Sequence, residues 1–307
     1  MIQTTLKPVT LFSSKDNGAP QLSASAGSLK TVLKACLVSG YGEKRALGWD
    51  MPFETPNVAV FRSASGESNR HYLRVDNSST RSVRLHPYRE MTGIDAGTGY
   101  FGRDRSNNYD RFGYVERDVN NTDRWWLIGH DKAFTLIVGA MGDYYKTNGC
   151  SMFFFGDVPS LIPDDTGNTL FVSSHYDGYD YLSNGNLRAL TTTYGNSARM
   201  ARTWGNTETE AGVLLHSLGF AAANADYPDV ISGGTLASEI YLAEETVRER
   251  YSLRGLMPGW FKAHNNLRIV HDGSPIVIDG TDDVYLKFNA GDQERGYYLL
   301  NVSHWES

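Results

Sequence analysis

Trp125-Trp126-Leu127-Ile128-Gly129, His130-Asp131-Lys132 and Ala133-Phe134-Thr135-Leu136-Ile137-Val138 form the stretch whose reading decides the fold. Two apolar runs of strand length, rich in aromatic and β-branched residues, flank a three-residue polar break, which is the pattern of a β-hairpin. The next apolar run, Met152-Phe153-Phe154-Phe155, is continuous rather than alternating. That is the signature of a strand covered on both faces. Outward from this centre the period is two. Val58, Val60 and Arg62 alternate with Ala59, Phe61 and Ser63, and Tyr72-Leu73-Arg74-Val75 runs into an Asp76-Asn77-Ser78-Ser79 turn. Thr169-Leu170-Phe171-Val172-Ser173 reads as a further strand, with weaker ones near 213–218, 239–243 and 251–256. Three short strands close the chain, Ile276–Ile278, Val284–Phe288 and Tyr297–Val302, separated by Asp279-Gly280 and Ala290-Gly291. The expected fold is mainly β, with an antiparallel sandwich or barrel-like body.

Composition agrees. Among 307 residues there are 31 Gly, 18 Tyr, 13 Phe and 6 Trp, which suits many short strands joined by tight turns. The net charge of −6 argues against a protein that binds nucleic acid by displacing counterions from phosphates. Arg70, Arg74, Arg81, Arg84 and Arg89 form the densest basic cluster. Spread over strand-like sequence, they read as a solvated face or intersubunit ion pairing rather than a phosphate track. The first residues have no charged segment leading into an apolar core, so no secretory signal is read there. No apolar run approaches the ~18 residues that span a bilayer. The expectation is a soluble protein made in the cytoplasm, with no membrane partner.

Residues 1–27 are poor in large apolar side chains and rich in Ser, Ala and Gly, so they are expected to form an extended arm that orders against a neighbour. The one expected helix follows within residues 28–45, where Leu29, Val32, Leu33, Cys36 and Leu37 fall on a single stripe. Ser28 is its expected N-cap and Gly40 its stop. At about three turns the helix needs a surface to pack on, which makes Leu29, Val32, Leu33 and Leu37 the candidate assembly interface. Residues 46–307 form the β body, with a division into lobes suggested near 195 by the polar segment before it. Cys36 and Cys150, the only cysteines, read as buried thiols rather than a disulfide.

Motifs for chemistry are missing. There is no nucleophile elbow, phosphate loop, dinucleotide fingerprint or His-Glu-x-x-His, and no catalytic residue, cofactor or metal is assigned. His175-Tyr176-Asp177-Gly178-Tyr179-Asp180 holds an imidazole and two carboxylates on one loop. Divalent sites of the first row use three or four convergent ligands, so a polar surface loop is the stronger reading. The doublets Asp164-Asp165, Glu244-Glu245 and Asp282-Asp283 are not glycosidase pairs, because adjacent strand residues face opposite ways. Tyr144, Tyr145, Tyr176, Tyr179 and Tyr181 are the candidate recognition residues, suited to stacking on host-surface glycans. Interface or core packing competes with that reading and outweighs it.

The run Gly18-Ala19-Pro20-Gln21-Leu22 through Ala26-Gly27-Ser28-Leu29, with Leu33-Lys34-Ala35-Cys36-Leu37-Val38-Ser39-Gly40-Tyr41-Gly42, resembles the opening of a family of tailed-bacteriophage and prophage virion structural proteins. Gly48-Trp49, Val60-Phe61-Arg62, Tyr72–Asp76, Met91–Gly99, Phe154–Val158 and Leu253–Gly259 are similar too, and the likeness thins between 176 and 250. The resemblance implies a particle component of the neck, collar, tail or baseplate, present in several symmetric copies beside other virion proteins. It implies localisation to the virion and brings no catalytic residue. The expected arrangement mounts the chain through its N-terminal segment, with the β body projecting as a spike. The alternative function is a receptor-binding or adhesin module.

Overall fold

The computed structural model describes residues 4–102, 111–114, 121–122, 124–139, 150–173, 187–190, 198–201, 210–217, 226–231, 233–247, 250–278, 282–289 and 296–307. The first strands are β1 (Leu6–Pro8), β2 (Thr10–Ser13) and β3 (Leu22–Ser23). Helix α1 (Ser28–Lys34) continues as a π-turn over Ala35–Ser39. Then come β4 (Trp49–Glu54), β5 (Val58–Ser63), β6 (Tyr72–Asp76), β7 (Ser82–Met91), β8 (Gly97–Tyr100), β9 (Arg111–Gly113) and β10 (Asn121–Thr122). The central strands are β11 (Trp125–Gly129), β12 (Ala133–Val138), β13 (Ser151–Asp157), β14 (Thr169–Ser173), β15 (Ala198–Ala201) and β16 (Glu210–Ser217). A long hairpin, β17 (Ala237–Val247) and β18 (Arg250–Ala263), leads to β19 (Pro275–Val277), β20 (Val284–Asn289), β21 (Tyr297–Asn301) and β22 (His304–Glu306).

The chain is mainly β, its sheets are antiparallel, and among the described residues it has one short α-helix, besides a 3-10 turn at Leu187–Leu190. A twelve-stranded sheet runs β19-β20-β21-β18-β17-β16-β15-β14-β13-β12-β11-β2, and a smaller one runs β4-β5-β6-β7-β8 with β9 also on β7. The hairpin read from residues 125–138 is present, with Trp126 opposite Ile137 and Leu127 opposite Leu136. Both faces of β11–β14 are covered. Trp125, Leu127, Phe134, Leu136, Phe153 and Phe155 share a core with α1 and with Phe61, Leu73 and Leu85 of the small sheet. Trp126, Ile128, Ile137, Met152, Phe154 and Val172 share the other core with Trp260, Phe288, Leu300 and Trp305. Trp260, Phe288 and Leu300 belong to β18, β20 and β21, so the large sheet rolls over and packs on its own centre as a sandwich-like body, joined there by Trp305 of β22. Edge-to-face ring pairs join the layers, Trp126 with Phe288 at 5.3 Å and Phe112 with Phe153 at 5.1 Å.

The N-terminal segment departs from the expected free arm. β2 pairs with β11, and β1 pairs with β22, where Thr5 and Ser307 exchange backbone bonds of 3.2 and 2.9 Å. Phe12 and Leu22 are fully buried. The segment is short of apolar residues, yet its backbone groups complete three sheet ladders, β3 pairing with β10 as well, and ladder pairing needs no particular side chain. The suggested division near 195 also finds no counterpart in the hydrogen bonding, because β14 pairs with β15 directly across it.

Helix α1 forms where the stripe places it, but its cap differs. Gly27 occupies the N-cap position at φ 80, with no side-chain cap of its own. Asn77, from the β6–β7 turn, supplies the acceptor: its Oδ1 takes the N–H groups of Leu29 at 2.8 Å and Lys30 at 3.2 Å. Asn77 is buried and its amide donates to the Tyr114 hydroxyl at 2.8 Å. Gly40 ends the turn as expected, at φ 74, where a Cβ would lie 2.6 Å from the Lys44 carbonyl oxygen.

Candidate functional site

Leu29, Val32, Leu33 and Leu37 are all fully buried in the core between α1 and the two sheets. This corrects their assignment as an assembly interface: the apolar stripe finds its partner within the chain, so no neighbour can reach it. Tyr144, Tyr145, Tyr176, Tyr179 and Tyr181 lie outside the described residues, as does the loop with His175 and Asp177. Among the described residues no group of three or more His, Cys, Asp or Glu is arranged to hold a metal. Cys36 and Cys150 are both buried and free, and burial pushes both thiols well up.

Where carboxylates do converge, they are neutralised. Asp165 and Glu244 come from different doublets and meet at one buried guanidinium. Arg254 donates Nε and Nη2 to the two Asp165 oxygens, 2.9 Å each, and Nη1 to Glu244 Oε2. All three side chains are about 2 % exposed or less. Asp165 also accepts from Ser160 Oγ at 2.6 Å and the Gly167 amide at 2.9 Å. The adjacent polar cleft, about 240 Å³, includes Glu67, Asn69, Lys132, Asp157 and Asn168. Burial raises the Asp157 carboxyl, yet it accepts from Ser68 Oγ at 2.7 Å, the Asn69 amide at 2.8 Å and Thr169 Oγ1 at 2.6 Å. With its lone pairs so occupied, Asp157 ties the β5–β6 loop to β14. Both carboxylate groups pin layers together, and neither presents a pair across an open cleft. This contact between distant residues has no local sequence signal.

The arginine cluster divides between the faces of the small sheet. Arg74 pairs with Asp76 at 3.5 Å and Asp95 at 2.6 Å, and Arg70 reaches Asp50 at 3.5 Å. Arg84 is exposed. Arg89, on the other face, buries its Nε and Nη2 without a hydrogen-bond partner. Of the five, only Arg84 is exposed, and Arg70 and Arg74 pair with acids of this same chain, so the cluster is neither a solvated face nor intersubunit pairing.

The feature that stands out is apolar and exposed. Ile231 is 94 % exposed, Val230 80 %, Ile269 68 %, Val277 63 % and Leu236 43 %. They sit on residues 226–231 with 233–236, on 264–270 and on β19, whose inward residues share one small core of Leu267, Ile276, Tyr285 and Leu299 with Tyr227 and Val270. Asn265 clamps the first segment to the second: its Oδ1 takes the Leu236 amide and its Nδ2 donates to the Asp226 carbonyl, each at 2.6 Å. The 229–234 turn closes on itself through Asp229 N–H to Gly234 O at 2.9 Å and Gly233 N–H to Asp229 O at 2.7 Å. Val230 and Ile231 are therefore presented outward by a braced turn. Exposed aliphatics on segments that share one small core suit a contact surface. The sequence reading missed it because residues 226–236 show neither strand nor helix periodicity.

A scan of this chain against models of protein families found no match, and a search of curated proteins found none. No described helix is long and apolar enough to cross a membrane.

Proposed function

We propose that this chain is a structural component of a tailed-bacteriophage particle, held among its neighbours through the end of the body formed by 226–231 with 233–236, 264–270 and β19. The observation that carries the proposal is the braced turn that places Val230 and Ile231 in solvent, with Ile269 and Val277 exposed on segments that share its small core. Large aliphatic side chains held outward lower free energy only when something covers them, by about 25 cal/mol per Å² of apolar surface removed from water. The resemblance of residues 18–42 to virion structural proteins supports the kind of assembly in question. The N-terminal segment has a different task in this reading: it seams β11 to β22 and leaves the mounting to the opposite end of the sheet order.

The test is incorporation. Particles assembled with an Ile231→Asp, Val277→Asp chain should contain far less of it than wild-type particles, while the purified variant keeps the wild-type melting temperature. Full incorporation of the folded variant would overturn the proposal.

A further inference from the structure

We propose that the β19 end is a contact surface for a second copy of this chain, related to the first by a two-fold axis. The inference rests on the assembly reading above and names the partner of the same surface. Three observations carry it.

The surface offers both signs of charge beside its aliphatics. Asp226 and Asp282 are exposed acids and Arg268 an exposed base, and none of the three makes an ion pair among the described residues. Asp226 and Arg268 stand on the two segments that Asn265 clamps together. A patch of one sign would repel its own copy. A patch carrying both can be turned through a two-fold axis so that Arg268 of each copy meets Asp226 of the other, as an isologous interface requires.

The exposed aliphatics are spread over separate elements: Val230, Ile231 and Ile269 lie in turns and Val277 on β19. A two-fold contact would cover the aliphatics of both copies at once.

Pairing of strand edges is the competing geometry, and β19 is poorly made for it. The strand has three residues and begins with Pro275, which has no N–H to donate. Side-chain packing between copies is therefore the mode, rather than extension of the sheet.

Sedimentation of the full chain tests this. Wild type should be dimeric at about 100 µM, a concentration well above the Kd of a specific interface. Ile231→Asp should weaken the dimer at least about tenfold, with the thermal melt unchanged when both proteins are compared dilute enough to be monomeric, because the side chain is solvent-exposed. Arg268→Glu should weaken it as well, and adding Asp226→Lys to Arg268→Glu should restore it. A wild type that stays monomeric, or a dimer indifferent to all these changes, overturns the proposal. A monomeric wild type whose Ile231→Asp variant is still lost from particles also overturns it, but leaves the particle role intact and assigns the surface to a different protein.

Discussion

The strands β11–β14 and the end around β19 are built from the same kinds of residue and treat them in opposite ways. In β11–β14 every side chain is buried except Asp157 at the margin, because α1 and the small sheet cover one face and the rolled-over large sheet covers the other. Around β19 a core of comparable chemistry is covered on its inner side only, and Ile231, Ile269 and Val277 face water. The lesson is that apolar content does not distinguish a core from an interface; the number of layers available within the chain does. The same rule explains α1, whose stripe looked like an attachment surface and proved to be sealed by its own chain.

The contrast can be broken by substitution. Phe154→Ala, in the doubly covered strand, should destabilise by about 3–5 kcal/mol in chemical denaturation; a loss below about 1 kcal/mol would mean that the centre is loosely packed. Arg254→Ala leaves Asp165 and Glu244 buried without their cation and should cost about 3 kcal/mol or more. Arg254→Ala melting like wild type would remove the triad from the account of how the layers are pinned.

Acid sharpens the comparison, because two buried imidazoles flank the centre. Burial lowers both His71 and His130 to about 4, helped by Arg89 beside the first and Lys7 beside the second. Each is neutral in the folded chain and takes up a proton near 6.5 when unfolded. The unfolded state binds more protons between these values, so stability should fall as pH drops from about 6.5 to 4, by at most about 1.4 kcal/mol per pH unit for each histidine. A His71→Leu variant should lose its part of that slope, and an unchanged slope would show that the imidazole is solvated. Asn77→Ala, which uncaps α1 from across the sheet, should cost about 1–2 kcal/mol by the same denaturation measurement. Smallest of all, Ile231→Asp should change subunit stability by less than about 0.5 kcal/mol, although it should weaken the proposed contact.

Legibility in the sequence followed covering. The Trp125–Val138 hairpin, the unbroken Met152–Phe155 run and the stripe of α1 were all readable, since each advertises its burial by local period. The place of residues 4–13 was not, because Val9, Leu11 and Phe12 enter the cores from a stretch whose strands are too short to show a period. Asn77 looked like a turn residue and is one, yet its amide also caps a helix more than 45 positions away. Asp165, Glu244 and Arg254 met only through the β17–β18 hairpin and the loop before β14. The exposed end was hidden for a further reason: an aliphatic pair in a turn, such as Val230-Ile231, has no period that would show which way it points. Gly259 is a similar case, legible only once Trp305 is seen to lie where its Cβ would be, 2.1 Å from the indole nitrogen.

Hydrogen exchange of the assembled protein, compared with the free chain, tests the central claim most directly. The account predicts new protection on assembly at 229–231, 266–270 and 275–278, and no change in β11–β14, whose amides are protected already. Protection gained over residues 4–40 instead, with the β19 end exchanging equally in both states, would contradict it.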